Sequence, residues 1–422
     1  MNSLLRIAWA SAWHRRLALS LVVLSLALST FLLLTVERVR HDVRDNFSNA
    51  VSGTDLIVGA RSGAAQLLLY TVFRVGQPTQ TIEYKAVQAL QKDPAVKWVL
   101  PISLGDTHRG FSVVATTPDY FEHFRYGPRL PLALSEGRPF EDVFDAVLGA
   151  DVAQQLGYAL GQRIVLRHGS GALDTADHED MPFTAVGVLA RTGTPVDRSV
   201  HIRLEGMQAL HVDWVAGMPI PGAKRTSAQE AKAMDLTPRN VTAALVGLKT
   251  RGAVFAVQRR VQAYEGEPLM AVLPGVTLDE LWGTIAQAEQ ALALMSILVG
   301  IVSLAGLMAV VMTALEQRRR ELAVLRSVGA GPRWVLMLLL TEGLLVSLSG
   351  AALGATAWAL VLWAGGPWVQ AEYGILLRFG LPTAREATLC SSVVMAGIAA
   401  SLWPGWRAYR LSLADGLAPR GA

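Results

Sequence analysis

The sequence predicts a membrane protein: four transmembrane α-helices with a large mixed α/β domain inserted between helices 1 and 2. Three observations predict it. Four apolar stretches approach or exceed the roughly 20 residues that span a bilayer as a helix. The segment between the first two stretches, residues 37–287, alternates strand-like and helical patterns. Arginines collect beside the ends of the stretches on one side, which sets orientation. Composition agrees, because 17% charged residues and 52% hydrophobic ones depart from the charged share of about 25% usual in soluble domains. That excludes a disordered chain. A net charge of +4 from 38 basic and 34 acidic residues is too balanced for a polyanion binder, so no nucleic acid is expected as a partner.

Taken in order, residues 1–16 read as a cytoplasmic amphipathic segment carrying Arg6, Arg15 and Arg16, and residues 17–36 as the first membrane helix, without a charge. Ala27 and Ser29 form a passable cleavage site, but the apolar run continues through Phe31 to Leu34, too long for a signal-peptide core, so a retained helix is expected. Residues 37–287 form the outer domain. Asp55–Gly59, Lys97–Ile102, Phe111–Thr117, Phe183–Ala190 and Asn240–Lys249 read as strands. Glu83–Gln91, Asp119–Phe124, Asp151–Leu156, Leu204–Leu210 and Ala253–Tyr264 read as helices. Helical patterns at Glu37–Asn46 and Leu278–Gln290 run into the membrane helices, so stalks are expected at both ends, with an upper subdomain near residues 115–240. Pro219, Pro221 and Gly222 suggest a flexible insertion.

Residues 288–315 form the second membrane helix, 316–333 a short cytoplasmic segment, and 334–363 the third helix, interrupted by one charge, Glu342. A short outer loop, 364–386, leads to the fourth helix at 387–403, rich in small residues as packed membrane helices are, and to a tail at 404–422. Nine tryptophans, among them Trp9, Trp13, Trp334, Trp363 and Trp403, lie in or beside these stretches, as interfacial rings do. Arg318, Arg319, Arg320, Arg326 and Arg333 place the segment 316–333 and both termini in the cytoplasm.

The motifs for chemistry are sparse. Neither a GxxxxGK[ST] phosphate cradle nor a GxSxG elbow or HExxH pair occurs in the sequence, so the chain is expected to be non-catalytic and not to hydrolyse ATP itself. Cys390 is the single cysteine, which excludes an intrachain disulfide framework. Glu342 lies about 12 Å along its helix from Trp334; it either senses a neighbouring polar group or is a carboxylate bonded to another helix, and the second is favoured. His168, Asp177, His178, Glu179 and Asp180 share one polar stretch, with His201, His211 and Asp213 further on. Imidazole with carboxylate is a usable set for zinc, and His168, His178 and Asp180 are its candidate ligands; a solvated loop is the plainer alternative.

The cytoplasmic segment is the most informative. A helix over Arg318–Ser327 places Leu322 and Leu325 on one face with the arginines accessible, after which Gly329 and Gly331 break it and Pro332 suits the first turn of the next helix. The run RRRELAVLRSVGA resembles the coupling loop of the MacB, LolC/LolE and FtsX-like permeases of ABC transporters. The matching residues are Arg318, Arg319, Arg320, Glu321, Leu322, Leu325, Arg326, Gly329 and Ala330; Gly331 stands where the family commonly has a Ser or Thr cap. Val147–Leu166 resembles the family's periplasmic strand, helix and glycine turn, and Pro404–Leu417 its C-terminal tail. The resemblance implies a multi-pass inner-membrane permease with both termini cytoplasmic, whose periplasmic domain moves when a separate ATPase binds ATP and Mg. It also implies a homodimer amid membrane lipids, with a periplasmic adaptor or lipoprotein carrier as a further partner. The expected function is export or release of an envelope substrate: a lipoprotein, lipid, peptide, drug or metal-linked cargo. An FtsX-like force relay to periplasmic partners and a receptor with a periplasmic ligand-binding domain are the alternatives.

Overall fold

A computed structural model describes residues 16–169, 178–215, 218–219, 226–317, 331–373, 377, 380 and 382–410. The chain divides into two compact units, one comprising residues 1–42, 285–368 and 377–422, the other residues 43–284 and 369–376.

The first unit is built on four long helices, Arg16–Ala50, Pro274–Gln317, Pro332–Tyr373 and Ala384–Arg410, each apolar and long enough to cross a membrane. Helix is the form such sequences must take in lipid, where every backbone polar group needs an internal partner. The hydroxyls obey the same rule: Thr30, Thr35, Ser296, Ser303 and Ser347 each donate to the carbonyl four residues back. Association rests on small residues. A side chain at Gly350 would strike Leu26, and one at Gly354 would strike Ala27 and Thr30, so the third helix seats the first directly on its backbone. Gly343 meets Ser401 and Gly397 meets Ser347, a reciprocal contact between the third and fourth helices. Leu19, Val22 and Leu26 pack with Leu307, Val311, Leu339 and Val346, while Leu17, Leu21, Leu24 and Leu28 turn outward, as a lipid-facing side requires.

The helices are longer than the apolar runs alone suggest. The third was expected to end near Trp363, whereas the helix runs through Gly365, Gly366 and Pro367 to Tyr373.

The second unit carries two sheets. The antiparallel four-stranded sheet runs Leu269–Val272, Leu56–Ala60, Ala243–Leu248, Val96–Ile102 in spatial order. Its two middle strands are buried at every residue, which is why they read as continuous apolar runs. Helices Tyr84–Gln91 and Val254–Gln262 turn Ala86, Val87, Leu90, Val257 and Val261 into the core.

The eight-stranded mixed sheet runs Arg163–Ile164, Phe183–Leu189, Asp145–Leu148, Ser199–Arg203, Phe111–Thr116, Asp106–His108, Arg167–His168, with Leu134–Gly137 also on Phe183–Leu189. Two of its pairings are parallel, Asp145–Leu148 with Phe183–Leu189 and Phe111–Thr116 with Ser199–Arg203. Helix Ala150–Leu156 follows Asp145–Leu148 and ends at Gly157 in the left-handed region, the order of strand, helix and glycine turn expected for Val147–Leu166. Gly149 is required there, since any side chain would strike the carbonyls of Val196 and Asp197. Met218–Pro219, inside the expected insertion, pairs with Trp214–Val215 as a small hairpin.

Candidate functional site

The coupling residues expected from the sequence, Arg318, Arg319, Arg320, Glu321, Leu322, Leu325, Arg326, Gly329 and Ala330, lie outside the described residues. Their frame is described: helix Pro274–Gln317 leads to them and helix Pro332–Tyr373 follows, with the Trp334 amide donating to the Gly331 carbonyl at 3.0 Å. Pro332 at the first helical position loses no hydrogen bond there.

Glu342 is buried, 3% exposed, beside the Gly343 contact between the third and fourth helices. A second buried carboxylate, which the apolar-run reading missed, stands at the start of the fourth helix. Glu386 pairs with Arg38, Nε to Oε1 at 2.9 Å and Nη2 to Oε2 at 3.1 Å, with both side chains at most 5% exposed. Arg38 also lies over the Trp358 ring, 5.3 Å from its centre. Thr383 and Glu386 form a reciprocal cap: the Thr383 amide donates to Oε2 at 2.6 Å and the Glu386 amide to Oγ1 at 3.3 Å. The signal was legible as Thr-Ala-Arg-Glu; Arg38, far away in sequence, was not.

One carboxylate and three imidazoles come together in the second unit. Strand Asp106–His108 pairs antiparallel with Arg167–His168, and the register sets His168 directly opposite Asp106. His168 Nδ1 lies 2.9 Å from Asp106 Oδ1. His211 caps the end of helix Leu204–Leu210; its Nδ1 reaches the Met207 carbonyl at 2.8 Å, and its Nε2 lies 3.0 Å from His168 Nδ1 and 3.6 Å from Asp106 Oδ1. His178, whose amide donates to the Leu166 carbonyl, completes the group: one donor atom from each of Asp106, His168, His178 and His211 lies within 4.8 Å of all the others. Trp214 covers them, its ring centre 4.8 Å from that of His168, 5.1 Å from His178 and 5.3 Å from His211.

Asp106 and His178 are buried, while the side chains of His168 and His211 keep 34% and 24% exposure. The hydrogen bond to Asp106 raises the pKa of His168, against its partial burial. Of the candidate ligands, His168 and His178 meet here, joined by His211 from the wider set. Asp180 is not in the group, and Asp177 lies outside the described residues. Asp213 accepts from the Thr226 amide and hydroxyl at 2.6 and 2.8 Å, and His201 is sealed in the sheet with no exposed surface. Asp106 was missed because it sits alone in a three-residue strand, where only its alternation with His108 marks it as inward-facing.

Four membrane-length helices with a mixed α/β domain between the first two define a multi-pass membrane protein. Residues 17–234 match the MacB-like periplasmic core domain and residues 293–413 the FtsX-like permease C-terminal domain, so the chain belongs to the MacB/FtsX-like family of ABC transporter permeases. It is similar to the macrolide export ATP-binding/permease protein MacB of Chromobacterium violaceum, 30% identical over 156 residues that make up 33% of this chain and 22% of that protein. The match thus spans under a quarter of that relative's length. Among solved structures, the periplasmic region of MacB from Actinobacillus actinomycetemcomitans aligns at 12% identity and TM-score 0.35, covering 57% of this chain and 96% of that one. The extracellular domain of the noncanonic ABC-type transporter YknZ from Gram-positive bacteria aligns at 10% identity and TM-score 0.31, covering 52% and 98%.

Proposed function

We propose that the chain is the permease subunit of an ABC transporter in the inner membrane, which converts ATP hydrolysis by a separate cytoplasmic ATPase into movement of its periplasmic domain and so drives export or release of an envelope substrate. One observation carries the reading: the permease family matches both halves of a sequence that contains no phosphate-binding loop. On this reading the energy of hydrolysis arrives by contact with that ATPase. The first two long helices suit that contact, being 35 and 44 residues without a break, well beyond the roughly 20 needed to cross the bilayer. The arginine-rich segment between Gln317 and Pro332 is the dock, and two copies of the chain present two docks to an ATPase pair.

The test is copurification with candidate ATPases, with Leu322→Asp and Leu325→Asp placed on the docking face. The expected outcome is loss of the complex and of permease-stimulated ATP hydrolysis by at least about tenfold, a charge buried in a contact costing over 1.4 kcal/mol. Unchanged binding removes the dock from this segment.

A further inference from the structure

We propose that Asp106, His168, His178 and His211 form a binding site for a divalent transition metal of the zinc class, one ion per chain, at the edge of the eight-stranded sheet. This site is independent of the docking reading above.

The argument begins with the distances. Zinc bound tetrahedrally at about 2.0–2.1 Å from nitrogen or oxygen sets its ligand atoms about 3.3 Å apart. Asp106 Oδ1, His168 Nδ1 and His211 Nε2 form a triangle with sides of 2.9, 3.0 and 3.6 Å, already at that spacing. His178 supplies the fourth atom within 4.8 Å, so a closed coordination shell needs only a small inward shift.

The protons point the same way. A neutral His211 ring that donates from Nδ1 to the Met207 carbonyl, 2.8 Å away, presents a lone pair at Nε2. That lone pair and an Asp106 oxygen both face His168 Nδ1, and one proton on this nitrogen can point at only one of them. Hydrogen bonding therefore leaves an electron pair in the centre unsatisfied, whereas a cation satisfies all three. The other Asp106 oxygen, Oδ2, is buried with no hydrogen-bond partner among the described residues, a costly condition for a carboxylate unless a positive charge stands close by.

The donor set selects the class of ion. Three imidazoles and one carboxylate suit zinc, cobalt, nickel or copper; magnesium and calcium call for oxygen shells. The ligands come from a strand pair, a loop and a helix end, so the ion ties three segments of the second unit together. The partly exposed rings of His168 and His211 leave it reachable from solvent and therefore exchangeable.

The experiment uses the full chain in detergent, purified with a tag that lacks histidine, stripped with EDTA, and titrated with zinc against a chromophoric chelator and separately with cobalt(II). One zinc per chain is expected, held at micromolar or tighter free concentration, and cobalt should give the intense visible bands of a four-coordinate ion. His168→Ala and His211→Ala should each weaken zinc by roughly 100-fold or more. His123→Ala, whose ring stacks on Trp98 away from the cluster, should leave affinity unchanged. Asp106→Asn, nearly isosteric, tests the charge without disturbing the shape, and should also weaken zinc and abolish the cobalt bands. Absence of stoichiometric zinc, a spectrum of six-coordinate cobalt in the wild-type chain, or wild-type affinity retained in the Asp106 and His211 variants overturns the site.

Discussion

His201 shows what burial does to one titratable side chain. It sits in strand Ser199–Arg203 with no exposed surface, beside the Tyr120 ring at 5.5 Å, and its pKa falls to about 3, first through lost hydration and then through the positive Arg74 nearby. The same burial pushes Tyr120 up to about 12 and lowers Arg74. Above about pH 6.5 the His201 ring is neutral in both the folded and the unfolded chain and adds no pH dependence. Below that, the unfolded chain binds a proton that the folded chain refuses until about pH 3, so stability falls with acidification, by about 2 kcal/mol at pH 5. His201→Phe fills the space with a ring that does not titrate. Thermal or denaturant unfolding at pH 7.5 and pH 5 should show an acid-induced loss smaller by about that amount in the variant; equal losses would mean that the imidazole is protonated in the fold.

Among the elements, the buried pair that joins the first and fourth long helices has the clearest energetic consequence. Arg38 and Glu386 are 5% and 1% exposed, so solvent screens them little. Glu386→Gln leaves the guanidinium buried without its counter-charge and should cost about 3–5 kcal/mol, read as a lower unfolding midpoint in detergent. Adding Arg38→Met removes the stranded charge and should restore most of that loss; if the double variant is no better than the single one, the pair is not coupled. This contact also shows where the sequence is legible. The apolar helices, the buried strands Leu56–Ala60 and Ala243–Leu248 and the alternating strand Phe183–Leu189 follow from local periodicity, which is written in consecutive residues. Arg38 and Glu386 are 348 residues apart, and His168 is 62 residues from Asp106, so only the folded chain brings them together. Half of the Asp106, His168, His178 and His211 cluster could be read because His168 and His178 share one polar stretch. Asp106 and His211 join it through sheet register and a helix cap, which depend on long-range pairing.

For the molecule as a whole, function depends on which side each part faces. The segment 316–333, expected in the cytoplasm, is too short to hold a domain of typical size, whereas the second unit, residues 43–284 with 369–376, is a folded body with two sheets. The proposed function needs the energy-supplying partner at the short arginine-rich segment and the work at the large unit. By the positive-inside rule, the five arginines at 318, 319, 320, 326 and 333 predict that the short segment lies inside. In a Cys390→Ser background, Met234→Cys is the outer probe, since that side chain is 45% exposed in the second unit. Ser327→Cys is the inner one. A membrane-impermeant maleimide applied to cells with a permeabilised outer membrane should label position 234 and spare position 327, and inverted vesicles should reverse the pattern. Labelling of 327 from outside would place the dock where no cytoplasmic ATPase can reach it, and the whole scheme of force passing outward through the long helices would fail with it.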